Sequence, residues 1–181
     1  MRSDSEMFHL FTHNDLDGVG CGILAKLAFQ DQVRVRYNSV SGLDFQVERF
    51  LERAKNDDFI IVTDLSVNEQ NTKKINEYYK KTSKAKLIDH HKTALHFNDY
   101  EWGSVKVEYD DGRLTAATSL FYEYLVANGQ LESSPVVEEF VELVRLYDTW
   151  EWEKNNNETA KRLNDLFFMI SIEDFEERMA G

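Results

Sequence analysis

The chain contains few of the residues that cross-link or interrupt a fold. Its 181 residues include one cysteine, Cys21, and one proline, Pro135. A single cysteine excludes an internal disulfide framework and is typical of a reducing compartment, so we expect a cytoplasmic protein. No Pro-rich or Gly/Ser-rich linker divides the sequence. No apolar run approaches the roughly 20 residues that a membrane-spanning helix needs, and no membrane association is expected.

Positive charge is also scarce. The 21 Lys and Arg residues face 33 Asp and Glu residues, which gives a net charge of −12. Such a surface repels a nucleic-acid backbone, so duplex DNA binding is not expected, and any bound phosphate must meet a local cation or a metal ion. The N-terminal stretch from Met1 to Glu6 is polar and acidic and does not match a signal peptide. The hydrophobic fraction of 42% is sufficient for a buried core.

The apolar pattern alternates between strand-like and helix-like segments in the first half of the chain. Strands are predicted at 7–12, 33–37, 59–62 and 85–88, with helices at 18–29, 43–54 and 68–80. Strands separated by helices of about a dozen residues predict right-handed crossovers. We therefore predict an α/β fold, a mostly parallel sheet with flanking helices of Rossmann-like type.

The second half of the chain is predicted to be mainly helical. A fifth strand at 102–109 precedes helices at 115–128, 135–147, 159–170 and 172–179. Pro135 follows two serines and suits the first turn of a helix. We assign residues 1–150 to one metal-binding domain and residues 151–181 to a helical extension.

Acidic and imidazole side chains follow three of the four predicted strands in the first half. They are His13, Asp15, Asp17, Asp64, Asp89, His90 and His91. The carboxyl ends of parallel strands open onto one edge of a sheet, so these groups are expected to lie close together. Crowded carboxylates repel one another unless a cation lies between them. The ligand count exceeds the need of one ion and predicts two divalent ions about 3.5–4 Å apart, bridged by Asp64.

Each of these features also has an ordinary interpretation, and two other functions stay open. Asp15 to Gly18 is typical of a helix cap, and Asp64 could cap the helix that follows it. A phosphoacceptor receiver domain would also carry an Asp at the position of Asp64, but it needs neither His90 nor His91. An inactive metal-binding regulatory domain would share the site and lack the activity.

The four motifs together resemble those of the DHH phosphoesterase family. They are Asp15-Leu16-Asp17, Asp64, Asp89-His90-His91, and an Asp in a helical segment, Asp148. The family includes RecJ-type exonucleases, oligoribonucleases that degrade nano-RNA, nucleotide phosphatases and manganese pyrophosphatases. The segment from Thr12 to Cys21 looks most like the nanoRNase branch. The resemblance covers about the first 150 residues.

The resemblance implies a ligand set for each ion. One ion would be held by Asp17, Asp64, His90 and Asp148, and the other by His13, Asp15 and Asp64. His13 stands two residues before Asp15, whereas many family members place the histidine four residues before. Manganese is the expected metal, with magnesium or cobalt as alternatives.

The resemblance also implies hydrolysis of a phosphoester by hydroxide that the two metals activate. Asp64 and His91 are the predicted catalytic residues, with His91 facing the substrate phosphate. Lys92 and Arg145, which are close to the motifs in sequence, are the cations expected to bind a further phosphate. Arg145 also lies three residues before Asp148 and could pair with it on one helix face.

The expected substrate is a short oligonucleotide or a nucleotide. Nano-RNA, short DNA, a bisphosphate nucleotide and a cyclic-dinucleotide product all remain open, and so does a homodimer. The family pairs this domain with a C-terminal substrate-binding domain that has a Gly-rich motif. No such motif occurs before Gly181, so we expect that a further domain completes the enzyme.

Overall fold

The structure is a computed structural model that describes residues 6–180. The expectation about the acidic N-terminus concerns mainly residues 1–5, which lie outside this part. Among the described residues, no helix is both long enough and apolar enough to cross a membrane.

A five-stranded sheet forms the centre of the fold. Its strands are β1 (Met7–His13), β2 (Val33–Asn38), β3 (Asp58–Thr63), β4 (Ala85–Asp89) and β5 (Gly103–Val105). Their order is β2-β1-β3-β4-β5, and every neighbouring pair is parallel. The predicted α/β fold with a mostly parallel sheet is therefore confirmed.

Among residues 6–180, eight helices surround the sheet and form the C-terminal part. They are α1 (Leu16–Phe29), α2 (Leu43–Arg53), α3 (Glu69–Thr82), α4 (Ala117–Ala127), α5 (Pro135–Asp148), α6 (Glu151–Lys154), α7 (Glu158–Met169) and α8 (Ile172–Ala180). Pro135 occupies the first turn of α5, as predicted, and the Ser134 side chain caps that helix. The helical C-terminal portion is confirmed. The division of the chain at residue 150 stays a prediction.

Both faces of the central strands β1 and β3 are buried, which explains why these two strands are mainly apolar along their length. Phe8 and Leu10 of β1 pack towards α1 and α4, whereas Phe11 packs towards Phe50 of α2. A third cluster joins α1 and α5 to the last two helices, through residues that include Phe167 and Phe175. The C-terminal helices are thus anchored on the same body that carries the sheet.

The predicted fifth strand is too long. Only Gly103–Val105 pairs with β4, and the chain then forms an irregular segment closed by one bridge between Glu108 and Leu114. Trp102 lies before the strand and is buried in the core, where its indole N–H donates to Asn76. Trp102 therefore contributes to side-chain packing and not to the strand. The short helix α6 and the 3₁₀ segment Lys92–Asp99 were not predicted from the sequence.

The connection from β1 to α1 is unusually tight. Asp15 is the N-cap of α1, and its side chain accepts a hydrogen bond of 2.8 Å from the Gly18 N–H. A Cβ on Gly18 would lie 2.0 Å from the His13 carbonyl oxygen, which is backbone and cannot rotate away. A glycine is therefore required for the loop that carries His13 and Asp15.

We predict that Gly18→Ala lowers the free energy of unfolding by about 1–3 kcal/mol, as forced overpacking does. The physical reason is the clash with the His13 backbone, and the measurement is denaturant unfolding. Gly42→Ala is the matched control, because the nearest atom to its Cβ is the Ser39 hydroxyl at 3.0 Å, which can rotate. Equal stability of the two variants would contradict the close approach.

Candidate metal centre

The acidic and imidazole residues meet at one edge of the sheet. Strands β1, β3 and β4 are neighbours in the order of the sheet, and their carboxyl ends carry His13, Asp64 and Asp89. The first turn of α1 contributes Asp17, and the end of α5 contributes Asp148. The structure therefore brings together residues that are up to 135 positions apart (148 − 13).

The first group of potential ligands is His13, Asp15 and Asp64. The Nδ1 atom of His13 lies 3.1 Å from Asp15 Oδ2 and 3.6 Å from Asp64 Oδ2. One donor atom from each of the three residues falls within 4.8 Å of the others, which is close enough for all three to contact one ion. His13 reaches this group although it is only two residues from Asp15.

The second group is Asp17, His90 and Asp148. The Nε2 atom of His90 lies 3.3 Å from Asp17 Oδ2 and 3.6 Å from Asp148 Oδ2. The same nitrogen lies 3.2 Å from Asp64 Oδ1. Asp64 therefore contacts the two groups through its two different oxygens.

Asp64 occupies an electrostatically unfavourable position in this cluster. It is 2% exposed, and its Oδ2 atom has no hydrogen-bond partner among the described residues. Burial and the nearby Asp17 raise the pKa of Asp64 well above its ordinary value. Its backbone is left-handed, with φ 64°, a conformation that costs energy outside glycine and clusters at functional sites. A cation beside Oδ2 would offset both the missing partner and the repulsion.

Asp17 is held by a feature that sequence reasoning did not find. Its two carboxylate oxygens accept the backbone N–H groups of Ala117 and Thr118, at 2.9 and 2.8 Å. These groups begin α4, where free N–H groups and the helix dipole favour a negative charge. The Thr118 hydroxyl also donates to the Asp17 carbonyl at 2.6 Å. No local signal around residue 17 indicates this contact, because the two segments are about 100 residues apart.

Asp89 fixes the orientation of the two histidines. Its Oδ1 atom lies 2.7 Å from His91 Nδ1 and accepts the His90 backbone N–H at 2.8 Å. Asp89 is buried, whereas about half of the His91 side chain is exposed. A carboxylate at Nδ1 favours the tautomer that carries a proton there and leaves Nε2 for another partner. Asp89 is thus a positioning residue that the sequence analysis left without a role.

Excess negative charge perturbs several groups of the cluster. The nearby carboxylates of Asp15 and Asp64 raise the pKa of His13 to about 10. Burial works against ionisation of Asp15, but the nearby His13 and the hydrogen bond from the Gly18 N–H help to lower its pKa overall. Burial and the repulsion of Asp17 raise the pKa of Asp148 to about 8, against the opposing effect of His90.

The two predicted phosphate-binding cations lie in different surroundings. Lys92 is exposed and follows His91 directly. The Arg145 guanidinium is 3% exposed and pairs with Glu142 and Glu151, and it donates to the Leu114 carbonyl at 2.8 Å. The pairing of Arg145 with Asp148 is therefore wrong, because two glutamates take that place. The contacts of Arg145 also do not favour its predicted role with substrate.

A pocket of about 180 Å³ opens beside the cluster. Its lining includes Asp15, Asp17, Asp148, Tyr147 and Phe168. Beyond Tyr147, the Trp152 ring stacks on the tyrosine ring, with 6.3 Å between their centroids. Carboxylates and aromatic rings therefore meet within one small volume.

The chain is similar to a curated protein and to a solved structure, whereas no family model matches it. The chain is 60% identical over 176 residues to oligoribonuclease NrnB of Bacillus subtilis, which covers 96% of this chain and 44% of that protein. The chain thus spans less than half the length of this curated relative. Among solved structures, it is similar to an uncharacterized protein from Helicobacter pylori G27, with a TM-score of 0.70 and 17% identity. That match covers 97% of this chain and 55% of the other, and it supports the fold alone.

We predict that the stability of the chain in a chelator falls as pH rises from 5 to 8. The folded-state pKa values of Asp64 and Asp148 are raised, so the folded chain keeps protons that the unfolded chain releases near pH 3.8. Stability falls with pH wherever the folded state binds more protons. The raised pKa of His13 extends the same trend from 6.5 towards about 10. Thermal unfolding at several pH values, with EDTA and with Mn²⁺, measures the effect, and Mn²⁺ should reduce the slope.

Asp64→Asn should have opposite effects on Tm in EDTA and in the presence of Mn²⁺. Without metal it replaces a buried carboxyl group whose ionisation is unfavourable and raises Tm at pH 8, by about 2–4 °C for each kcal/mol gained. With Mn²⁺ it loses the metal-dependent rise in Tm, because a shared ligand is gone. Asp99→Asn, at an exposed position, is the matched control and should change neither value. A lower Tm of Asp64→Asn in EDTA would count against the charge repulsion.

Proposed function

We propose that this chain carries the metal-binding and catalytic half of a DHH-type phosphoesterase that hydrolyses short oligoribonucleotides. The observation that carries the proposal is the position of Asp64, whose two oxygens contact two separate groups of ligands. The similarity to a relative named oligoribonuclease, at 60% identity, favours this substrate class over the other nucleotides.

The residues of the cluster fit two divalent ions. Asp64 Oδ2 is a buried oxygen without a partner among the described residues, which suits a cation beside it. Mixed carboxylate and imidazole donors favour Mn²⁺ over Ca²⁺ or Mg²⁺. His13, Asp15 and Asp64 would hold one ion, and Asp17, Asp64, His90 and Asp148 the other. Such ions, when bound, acidify water and neutralise phosphate oxygens.

Contacts within the chain hold several site residues in fixed positions, as this chemistry requires. The N-terminus of α4 holds Asp17 by two N–H groups, so this carboxylate is fixed before any ligand arrives. The hydrogen bond with Asp89 orients His91, whose doubly protonated form can donate from Nε2 a proton to a leaving oxygen or a hydrogen bond to a phosphate oxygen. Fixed donors of this kind lower the barrier because they need no rearrangement during the reaction.

A phosphoacceptor receiver domain is the second candidate, since the strand order β2-β1-β3-β4-β5 also suits it. Such a domain needs an accessible Asp and a lysine after the fifth strand. Asp64 is 2% exposed, and Lys106, which follows β5, lies 3.9 Å from Asp110 and over the Tyr109 ring. The receiver function also leaves His90 and Asp148 unexplained. We therefore favour the phosphoesterase.

We expect His90→Ala to lose a bound ion and His91→Ala to keep both. His90 contacts three carboxylates of the cluster, whereas His91 contacts Asp89 and is half exposed. Metal analysis of the two purified variants after dialysis against Mn²⁺ measures the stoichiometry. His96→Ala, which changes an exposed histidine outside the cluster, is the matched control. Equal metal loss in His90→Ala and His91→Ala would refute this division of roles.

The function is tested by hydrolysis assays with Mn²⁺ on a nitrophenyl phosphodiester and on RNAs of two to five nucleotides. We expect Asp64→Asn to abolish turnover of the small ester, with Asp99→Asn active. The RNA should be cleaved poorly by this chain and better by a protein that extends into the remaining length of the relative, because remote contacts orient the reacting phosphate. An inactive chain with two bound ions would favour the regulatory alternative, and a chain that binds no ion would overturn the proposal.

A further inference from the structure

Three arginines converge on a pocket that the metal centre does not use. Arg34 and Arg36 lie on β2, at the edge of the sheet, and Arg53 lies at the end of α2. Together with His9, Phe50 and Asp58 they line a pocket of about 270 Å³. His9 precedes His13 by four residues on β1, which separates the two sites by about 13 Å along the strand.

Within the described part of the chain, the arginines of this pocket have no carboxylate partner of their own. Among residues 6–180, no ion pair within 4.0 Å involves Arg34, Arg36 or Arg53. This is unexpected in a chain that has 33 carboxylates and only 21 Lys and Arg residues. Elsewhere in the fold, basic side chains such as Lys26, Lys84 and Arg145 do pair with glutamates.

The one acidic residue in the pocket is engaged with other groups. Asp58 Oδ1 lies 3.2 Å from His9 Nε2, and its Oδ2 accepts the Lys55 backbone N–H at 2.9 Å. Counting Asp58, and His9 as neutral, the lining residues carry a net charge of about +2. The pocket therefore presents a local positive charge on an acidic protein, and an anion is the ligand that such a potential attracts.

Arg36 is held in place before any ligand binds. Its guanidinium lies over the Phe11 and Phe50 rings, 5.2 and 5.8 Å from their centroids, and its Nη1 atom donates to His9 Nδ1 at 3.2 Å. Burial, Arg53 and Arg34 lower its pKa, which reflects the cost of placing three cations together. An arginine fixed in this way loses little conformational freedom when it binds phosphate through paired N–H donors.

We propose that Arg34, Arg36 and Arg53 form a binding site for a phosphate group, separate from the metal centre. Guanidinium groups match the geometry and charge of phosphate oxygens, and the pocket can accept one such group between β2 and α2. The phosphate can belong to a free phosphate compound or to the backbone of an oligonucleotide. This proposal uses no residue of the metal centre and does not rest on the proposed function.

An edge strand also carries charged residues simply to prevent pairing with another sheet. That role requires charge on Arg34 and Arg36 but no binding of an anion. It also gives no reason for Arg53, on a helix, to join them. A phosphate titration distinguishes the two roles, because only a binding site requires phosphate to bind at these arginines.

The test is titration of the ¹⁵N-labelled chain in EDTA with pyrophosphate, with AMP and with a DNA trinucleotide, against sodium chloride of equal ionic strength. We expect backbone amide shifts at His9, Arg34 and Arg36. Shifts confined to the metal centre, or shifts that chloride reproduces, would overturn the proposal. Tighter binding of the trinucleotide than of pyrophosphate would assign the site to a nucleic-acid backbone, and the reverse order would assign it to a free phosphate compound.

Variants distinguish the effect of the pocket arginines on phosphate binding from the effect of the net charge of the chain. Arg34→Gln and Arg53→Gln change exposed side chains and should each weaken pyrophosphate binding about tenfold, which corresponds to about 1.4 kcal/mol. Arg49→Gln is the matched control, because Arg49 is an exposed arginine of α2 that lies over Phe45 and outside the pocket. Equal affinities for Arg34→Gln, Arg53→Gln and Arg49→Gln would overturn the proposal.

Discussion

Repulsion among buried carboxylates is the constraint on which this molecule depends. Asp17, Asp64 and Asp148 come from different elements and meet around the single nitrogen His90 Nε2. The described residues offer little positive charge to offset them, and the raised pKa values of Asp64 and Asp148 express this deficit. Folded proteins are typically stable by only about 5–15 kcal/mol, so this repulsion is a substantial cost. Cations bound to the folded state alone would offset it.

The rest of the structure positions these carboxylates. The parallel sheet places the ends of β1, β3 and β4 side by side, and the tight turn at Gly18 sets Asp15 and Asp17 at the start of α1. Helix α4 contributes through its N-terminus, which holds Asp17 by backbone N–H groups rather than by a charged side chain. Because backbone donors are fixed by the helix, the carboxylate is oriented without a competing cation.

Charge is also distributed unevenly over the molecule. The acidic cluster lies at the carboxyl end of the central strands, and the arginine pocket lies at the edge strand β2 and the end of α2. In a protein with a net charge of −12, electrostatic attraction of a phosphate compound must come from local features such as these. The arginine pocket is a second place where like charges lie close together. A phosphate group can offset its positive charge, as cations can offset the negative charge of the metal centre.

Much of the fold could be predicted from the sequence because it depends on local patterns. The apolar runs at β1, β3 and β4 and the helical spacing of α2 follow from the periodicity of each segment. The rule that sites form at the carboxyl ends of parallel strands then correctly placed His13, Asp64, Asp89 and His90 near one another. The length of the fifth strand was wrong, since Trp102 and the residues after β5 are determined by contacts with distant segments.

Three features of the centre were decided by the folded structure and not by the sequence pattern: one joins segments about 100 residues apart, and two select partners among several near neighbours. The N-terminus of α4 binds the Asp17 carboxylate, and Asp89 contacts the His91 ring. Arg145 pairs with Glu142 and Glu151. Each of these contacts joins specific atoms of the folded chain. A sequence reports which residues are present and the period with which they recur, and it therefore determined the fold class and the ligand candidates. It does not report which of several equally acidic or basic groups a side chain will face, because that choice depends on how separate elements pack against one another.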